Sequence, residues 1–103
     1  MLALSDRAEK LVDCMFTDET MRNAVREKLT KDCGKGVPFC DELSPEEMDR
    51  IRFSVLKLSH GDIKHFESAI ELANVDWRDL FMEAGFGYDV EAHNKWYEKT
   101  VGS

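Results

Sequence analysis

S-P-E-E-M-D-R-I-R-F-S-V-L-K-L-S-H-G-D-I-K-H-F-E-S-A-I-E-L-A-N-V-D-W-R-D-L-F-M-E-A, residues 44–84, decides the fold of this chain. Three times a capping residue is followed, three positions on, by an acid: Ser44 and Glu47, Ser59 and Asp62, Asp76 and Asp79. The first side chain of each pair can accept from a backbone N–H of an opening helical turn, and the acid then sits at the positive end of the helix dipole. Each pair is therefore read as a helix start. Pro45 adds to the first, because at the first helical position its missing N–H has no intrahelical partner to lose.

Between these starts the apolar residues recur at three and four. The helix opened by Ser44 stripes Met48, Ile51, Val55 and Leu58 with Phe53 and Leu56 beside them, which makes it apolar around much of its circumference. A helix of that kind is covered on more than one side, so it is expected at the centre. Ile63, Phe66, Ala69, Ile70 and Ala73 form a single face on the fourth helix, and Trp77, Leu80, Phe81 and Ala84 form one on the fifth. Gly85 is expected to cap the fifth helix in a left-handed conformation, Gly87 to keep the following turn tight, and Asp89 to start a sixth helix carrying Ala92, His93, Trp96 and Tyr97.

Toward the N-terminus, Ser5 is expected to cap a first helix with Ala8, Leu11, Val12, Met15 and Phe16 on one stripe. Thr17 is expected to cap a second, with Met21, Ala24, Val25 and Leu29 inward, ending at Cys33-Gly34-Lys35-Gly36-Val37-Pro38. The loop around 33–43 is then the one candidate hinge in a single domain spanning 1–103. No stretch alternates polar and apolar residues over strand length. The expectation is an all-α protein, a compact orthogonal bundle of about six short helices.

The run V-L-K-L-S-H-G-D at 55–62, followed by D-W-R-D-L-F-M-E-A-G-F at 76–86 and A-H-N-K-W at 92–96, resembles small bacterial all-helical proteins of uncharacterised function. The resemblance covers the C-terminal half. It implies an all-helical fold and a bacterial cytoplasmic origin, and it carries no activity to particular residues.

Charge narrows the function classes. Of 21 acids and 14 bases, residues 1–40 hold seven of each, leaving fourteen acids against seven bases in residues 41–103. A face of that sign repels phosphate backbones and anionic lipid. Arg22, Arg26, Lys28, Lys31 and Lys35 form one local basic stretch, which supports the alternative of nucleic-acid binding through the second helix, or a salt-sensitive homodimer in which this stretch meets the acidic half of another copy. No apolar run of membrane-spanning length is present. Three cysteines, Cys14, Cys33 and Cys40, in no dense pattern point to a reducing, cytoplasmic setting.

Catalytic and metal chemistries find little support. Cys33, Cys40, His60 and His65 read C-x6-C and H-x4-H, but structural zinc sites pair cysteines two to four residues apart. On one continuous helix His60 and His65 would also lie about 500° apart, on different faces. Cys14 reads as core. A thiol at Cys33 could be lowered in pKa by the neighbouring Gly-Lys-Gly loop, though no base and orienting group accompany it. Glu46/Glu47 and Asp76/Asp79 read as helix-start acids, and Glu67/Glu71 as an exposed pair. The expected protein is not an enzyme and holds no cofactor or metal. It is a protein-interaction or regulatory module, partnering another protein or itself. Trp77, Phe81, Phe86, Tyr88, Trp96 and Tyr97 crowd large rings into 77–97, and the partner-binding residues are expected to be Phe86, Tyr88, His93, Trp96 and Tyr97, with Phe86 and Tyr88 protruding from a glycine-flanked turn.

Overall fold

Ser44 opens the helix on which the others pack. Its hydroxyl accepts from Glu47 N at 3.1 Å, and the Glu47 carboxylate accepts from Ser44 N at 3.3 Å, closing a complete capping box with Pro45 just inside. In this computed structural model residues 3–33, 44–87 and 89–102 are described, so most of the loop expected around 33–43, with Cys40, lies outside them, as does Tyr88. Six α-helices follow in order: α1 (Asp6–Met15), α2 (Glu19–Lys31), α3 (Pro45–Ser59), α4 (Ile63–Val75), α5 (Trp77–Glu83) and α6 (Ala92–Val101). No strand occurs among the described residues. The protein is all-α.

Four boundaries differ in detail from the sequence reading. The second helix is capped by Asp18, not Thr17, with Asp18 Oδ1 accepting from Thr20 N at 2.8 Å. Ser59 does not start a helix: it is the last residue of α3, its hydroxyl turned back onto Leu56 O at 2.6 Å. The cap of α4 is Asp62, which accepts from Lys64 N and His65 N. Asp89 lies one turn ahead of α6 and accepts from Glu91 N at 2.9 Å, while the helix itself begins at Ala92 without a side-chain cap. Ser5 and Asp76 cap α1 and α5 as read. The α3–α4 turn carries His60 at φ 50° and Gly61 at φ 77°, and a Cβ on Gly61 would sit 2.7 Å from Met15 O. Glycine is required there both by the left-handed backbone and by the close approach of the end of α1.

The all-round apolar pattern of α3 is answered by its neighbours: it packs on α1, α4, α5 and α6, while α2 bridges α1 and α4. Met48, Ile51, Phe53, Val55 and Leu56 are all buried, with Leu11, Val12, Phe16, Val25, Leu29 and Phe66 closing the core from α1, α2 and α4. Each large apolar side chain removed from water contributes about 1.5–3 kcal/mol. Burial on every side also draws polar groups inward, and these are tied down. Asp49 accepts from Ser5 Oγ at 2.7 Å and faces Arg7 at 3.8 Å, so the residue that caps α1 also fastens it to α3. Arg52, 1 % exposed, reaches Leu29 O at 3.2 Å and Ala3 O at 2.9 Å.

Candidate functional site

The turn after α5 points Phe86 inward. Gly85 takes φ 81°, and the N–H groups of Phe86 and Gly87 both donate to Phe81 O, which closes the end of α5 and swings the Phe86 side chain under α3. Phe86 is 3 % exposed and does not protrude, against the sequence reading; its ring lies 6.1 Å from Trp96 and 6.4 Å from His93, with Lys57 Nζ 5.0 Å over it. His93 and Tyr97 are buried as well, and Trp96 is half-buried. Phe53 of α3 collects them: Tyr97 stacks on it at 5.7 Å, and His93 and Trp96 meet it edge-on at 5.5 and 6.2 Å. Of the five expected partner-binding residues, Phe86, His93, Trp96 and Tyr97 therefore form the seam that docks α6 onto α3, and Tyr88 lies outside the described residues.

Beside this seam the surface is organised by a residue that sequence reading missed. Arg50 leaves α3 between the buried Asp49 and Ile51; its guanidinium lies 4.1 Å over the Phe81 ring and donates from Nη2 to Gly87 O at 2.8 Å. It separates two clefts. On one side a groove of about 250 Å³ is lined by Trp77, Arg78, Asp79, Phe81, Met82 and Gly87. Trp77 and Phe81 meet edge-to-face at 5.7 Å, Arg78 covers the Trp77 ring at 5.2 Å, and Met82 stands 56 % exposed on the rim. Met82 was legible as an outward residue, since Leu80, Phe81 and Ala84 already satisfy the inward stripe of α5. On the other side a cleft of about 190 Å³ is lined by Glu46, Glu47, Val90, Glu91 and His93.

His93 is the unusual group of this second cleft. It is 1 % exposed, and among the described residues neither ring nitrogen has a hydrogen-bond partner; the buried Nε of Arg50 has none among them either. Burial holds the imidazole below its usual pKa, helped by the positive charges of Arg7 on α1 and Arg50 on α3 and opposed by Glu46 and Asp49. The folded chain thus binds this proton less readily than the unfolded chain, where the pKa is about 6.5. Stability is complete above about pH 6.5 and is lost as the pH falls through the lowered value. Asp62, whose carboxyl is held low by backbone donors from His65 and Lys64, acts in the same direction only below its ordinary value of 3.8. Urea unfolding at pH 7.5 and pH 5 should therefore show a loss of stability at the lower pH, and His93→Phe should remove most of it. An equal loss in that variant would assign the acid sensitivity elsewhere.

The remaining candidates separate cleanly. Cys14 is exposed, not core, and unpaired. Cys33 is fully buried, and burial pushes its thiol up to about 12 in spite of the nearby Arg52 charge, the reverse of an activated nucleophile. His60 and His65 are brought together, rings 6.5 Å apart, because α3 ends between them; both line a cleft of about 300 Å³ that also holds Leu72 and Glu83. Among the described residues no three His, Cys, Asp or Glu side chains are grouped to hold a metal ion. The basic residues of α2 face acids of the same molecule: Arg22 and Arg26 reach Asp13, Arg26 also Glu9, Lys28 meets Glu67 at 3.2 Å and Lys31 meets Glu27 at 3.0 Å. Among the described residues no helix is long and apolar enough to cross a membrane. No protein-family model, no curated protein and no solved structure matches the chain.

Proposed function

We propose that this chain is a non-enzymatic, cytoplasmic protein-interaction module, and that its contact surface is the groove beside Arg50, not the C-terminal aromatic turn. One observation carries the reading: two guanidinium groups, Arg50 and Arg78, are laid over two aromatic rings, Phe81 and Trp77, at the wall of an open groove rimmed by the exposed Met82. Tryptophan and arginine are the residues that dominate binding energy at protein interfaces, because each combines large contact area with directed polar groups. Stacking on a ring also holds an arginine in place, so less side-chain freedom is lost when it meets a carboxylate. The fitting occupant is an extended or helical segment of another protein that seats an apolar side chain on Trp77 and Met82 and brings an acid to Arg78. The unpaired thiols of Cys14 and Cys33 support the reducing compartment. The basic α2 is the weaker candidate for a contact, since its described cations already face internal carboxylates.

Acidic and basic peptides sharing one leucine anchor, titrated into the labelled full chain and followed by NMR, test this. The acidic set is expected to shift the Trp77 indole and Met82 methyl signals saturably, and Arg78→Glu to weaken it tenfold or more. Equal response to both sets, or an acidic set unaffected by Arg78→Glu, overturns the groove assignment. Loss of a concentration-dependent dimer in Arg78→Glu during sedimentation would identify a second copy as the source of the acidic segment.

A further inference from the structure

On one continuous helix His60 and His65 would stand on different faces, and the turn between α3 and α4 overrides that spacing. His60 caps α3 at φ 50°, the chain reverses through Gly61, and Asp62 caps α4. The ring at the end of α3 therefore comes to rest against the first turn of α4, with the His60 and His65 rings 6.5 Å apart and edge to face. Both residues are exposed, and both line the cleft of about 300 Å³ between α3, α4 and α5. Neither belongs to the core. At a left-handed position glycine or asparagine serves the backbone at lower cost, and an exposed imidazole there adds nothing to the packing.

The donors specify the ligand. Imidazole suits zinc, nickel and copper, whereas magnesium and calcium take oxygen. An ion held by two imidazoles at about 2.1 Å leaves the ring centres roughly 5 Å apart in a tetrahedral shell, so the observed 6.5 Å must close by about 1.5 Å. Both side chains are free in solvent to make that change, and the terminal torsion of histidine is broad, so turning the edge-to-face pair onto a shared ion meets little resistance.

His65 is already oriented. Its Nδ1 lies 3.6 Å from Asp62 Oδ1, which leaves Nε2 as the ligating nitrogen, and metal-bound histidines ordinarily turn their other ring nitrogen to such a carboxylate. Asp62 is itself fixed, since the same Oδ1 accepts from Lys64 N at 2.7 Å and His65 N at 3.2 Å. Glu83, the last residue of α5, brings a second carboxylate to the cleft, and its charge favours a cation. With two protein nitrogens, water completes the shell in a cleft open to solvent.

The geometry points to a divalent transition-metal site in which His65 Nε2 and a ring nitrogen of His60 hold a zinc-class ion, clipping the end of α3 to the start of α4. The inference stands apart from the partner groove, none of whose residues it uses.

The test is titration of the full chain with Zn²⁺, and separately with Mg²⁺, followed by the carbon-bound ring protons of the three histidines. Zn²⁺ is expected to move the His60 and His65 signals together, saturably and at one ion per chain, while the buried His93 stays unmoved and Mg²⁺ shifts neither. Once one imidazole is engaged the other binds intramolecularly, so His60→Asn and His65→Gln should each weaken Zn²⁺ binding tenfold or more. Asparagine is tolerated in the left-handed region and the His65 side chain is 65 % exposed, so urea unfolding of both variants without metal should match the parent. Asp62→Asn, which still caps α4, should weaken binding several-fold by releasing His65. Saturating Zn²⁺ should also raise the urea midpoint of the parent and leave that of His60→Asn in place. Movement of one ring alone, an equal response to Mg²⁺, or unchanged Zn²⁺ affinity in either histidine variant overturns the inference and leaves two independent surface histidines.

Discussion

Replacing Phe53 by alanine is expected to destabilise the chain by about 3–5 kcal/mol, the range for truncating a large buried aromatic. Phe53 is fully buried and is the ring on which α6 is assembled: Tyr97 stacks on it, His93 and Trp96 meet its edges, and the Arg7 guanidinium of α1 lies 5.1 Å from its centre. Removing it strips α6 of its central contact while leaving α4 and α5 on α3. Aromatic pairs add about 0.5–1.5 kcal/mol each beyond the area they bury, so the cavity is costlier than its volume alone. A domain of this size is stable by roughly 5–15 kcal/mol in total. Urea unfolding measures the loss, and hydrogen exchange should show α6 amides deprotected before those of α4. Phe53→Leu, which fills most of the space, should recover more than half of the stability. Uniform loss of protection across all helices would show that α6 is not a separable layer.

Arg52→Ala carries the second large effect, about 3–5 kcal/mol, combining a lost side-chain volume with the breaking of a buried charge network. Arg52 is 1 % exposed on α3 and donates to Leu29 O in the last turn of α2 and to Ala3 O ahead of α1. It joins three segments that no backbone ladder connects. Without it the Leu29 carbonyl is left buried beside Cys33. Burial lowers the Arg52 pKa, and the acid Asp49 on the preceding turn acts against that shift. Arg52→Met separates the two contributions, because methionine keeps the apolar stem and removes the charge. It is expected to be intermediate, with the remaining loss of about 1–3 kcal/mol reporting the unsatisfied carbonyls. A Met variant as stable as the parent would mean that the guanidinium serves specificity and not stability.

These two residues are adjacent in sequence, yet their roles were unequally legible. Phe53 was readable as a flanking apolar position on an all-round apolar helix. Arg52 looks, in the string D-R-I-R-F, like a solvated charge, and nothing local separates it from Arg50. Periodicity cannot sort them because α3 is covered on several sides, and a helix surrounded by neighbours has no solvent face along most of its length. The same reason explains the C-terminal aromatic residues. Trp96, Tyr97 and Phe86 were recognisable as rings that either bury or bind, and the choice rested on whether the turn at Gly85 folds toward α3 or away from it.

What the residues determine by themselves is short-range: six helices, their starts at Ser5, Ser44 and Asp76, the centrality of α3 and the exclusion of strands. Capping bonds and apolar spacing act within four positions, so they are written in the local string. A start one residue late at Asp18 and the return of Ser59 to α3 show the limit of that signal, since several adjacent side chains can cap and only the backbone path selects one. The clefts belong to the tertiary structure alone. Arg50 reaches Gly87 across 37 positions, and Ser5 reaches Asp49 across 44. Whether a histidine at 93 finds a partner for its nitrogens depends on which side chains arrive from α1, α3 and the turn before α6, and no spacing within one helix encodes that arrival.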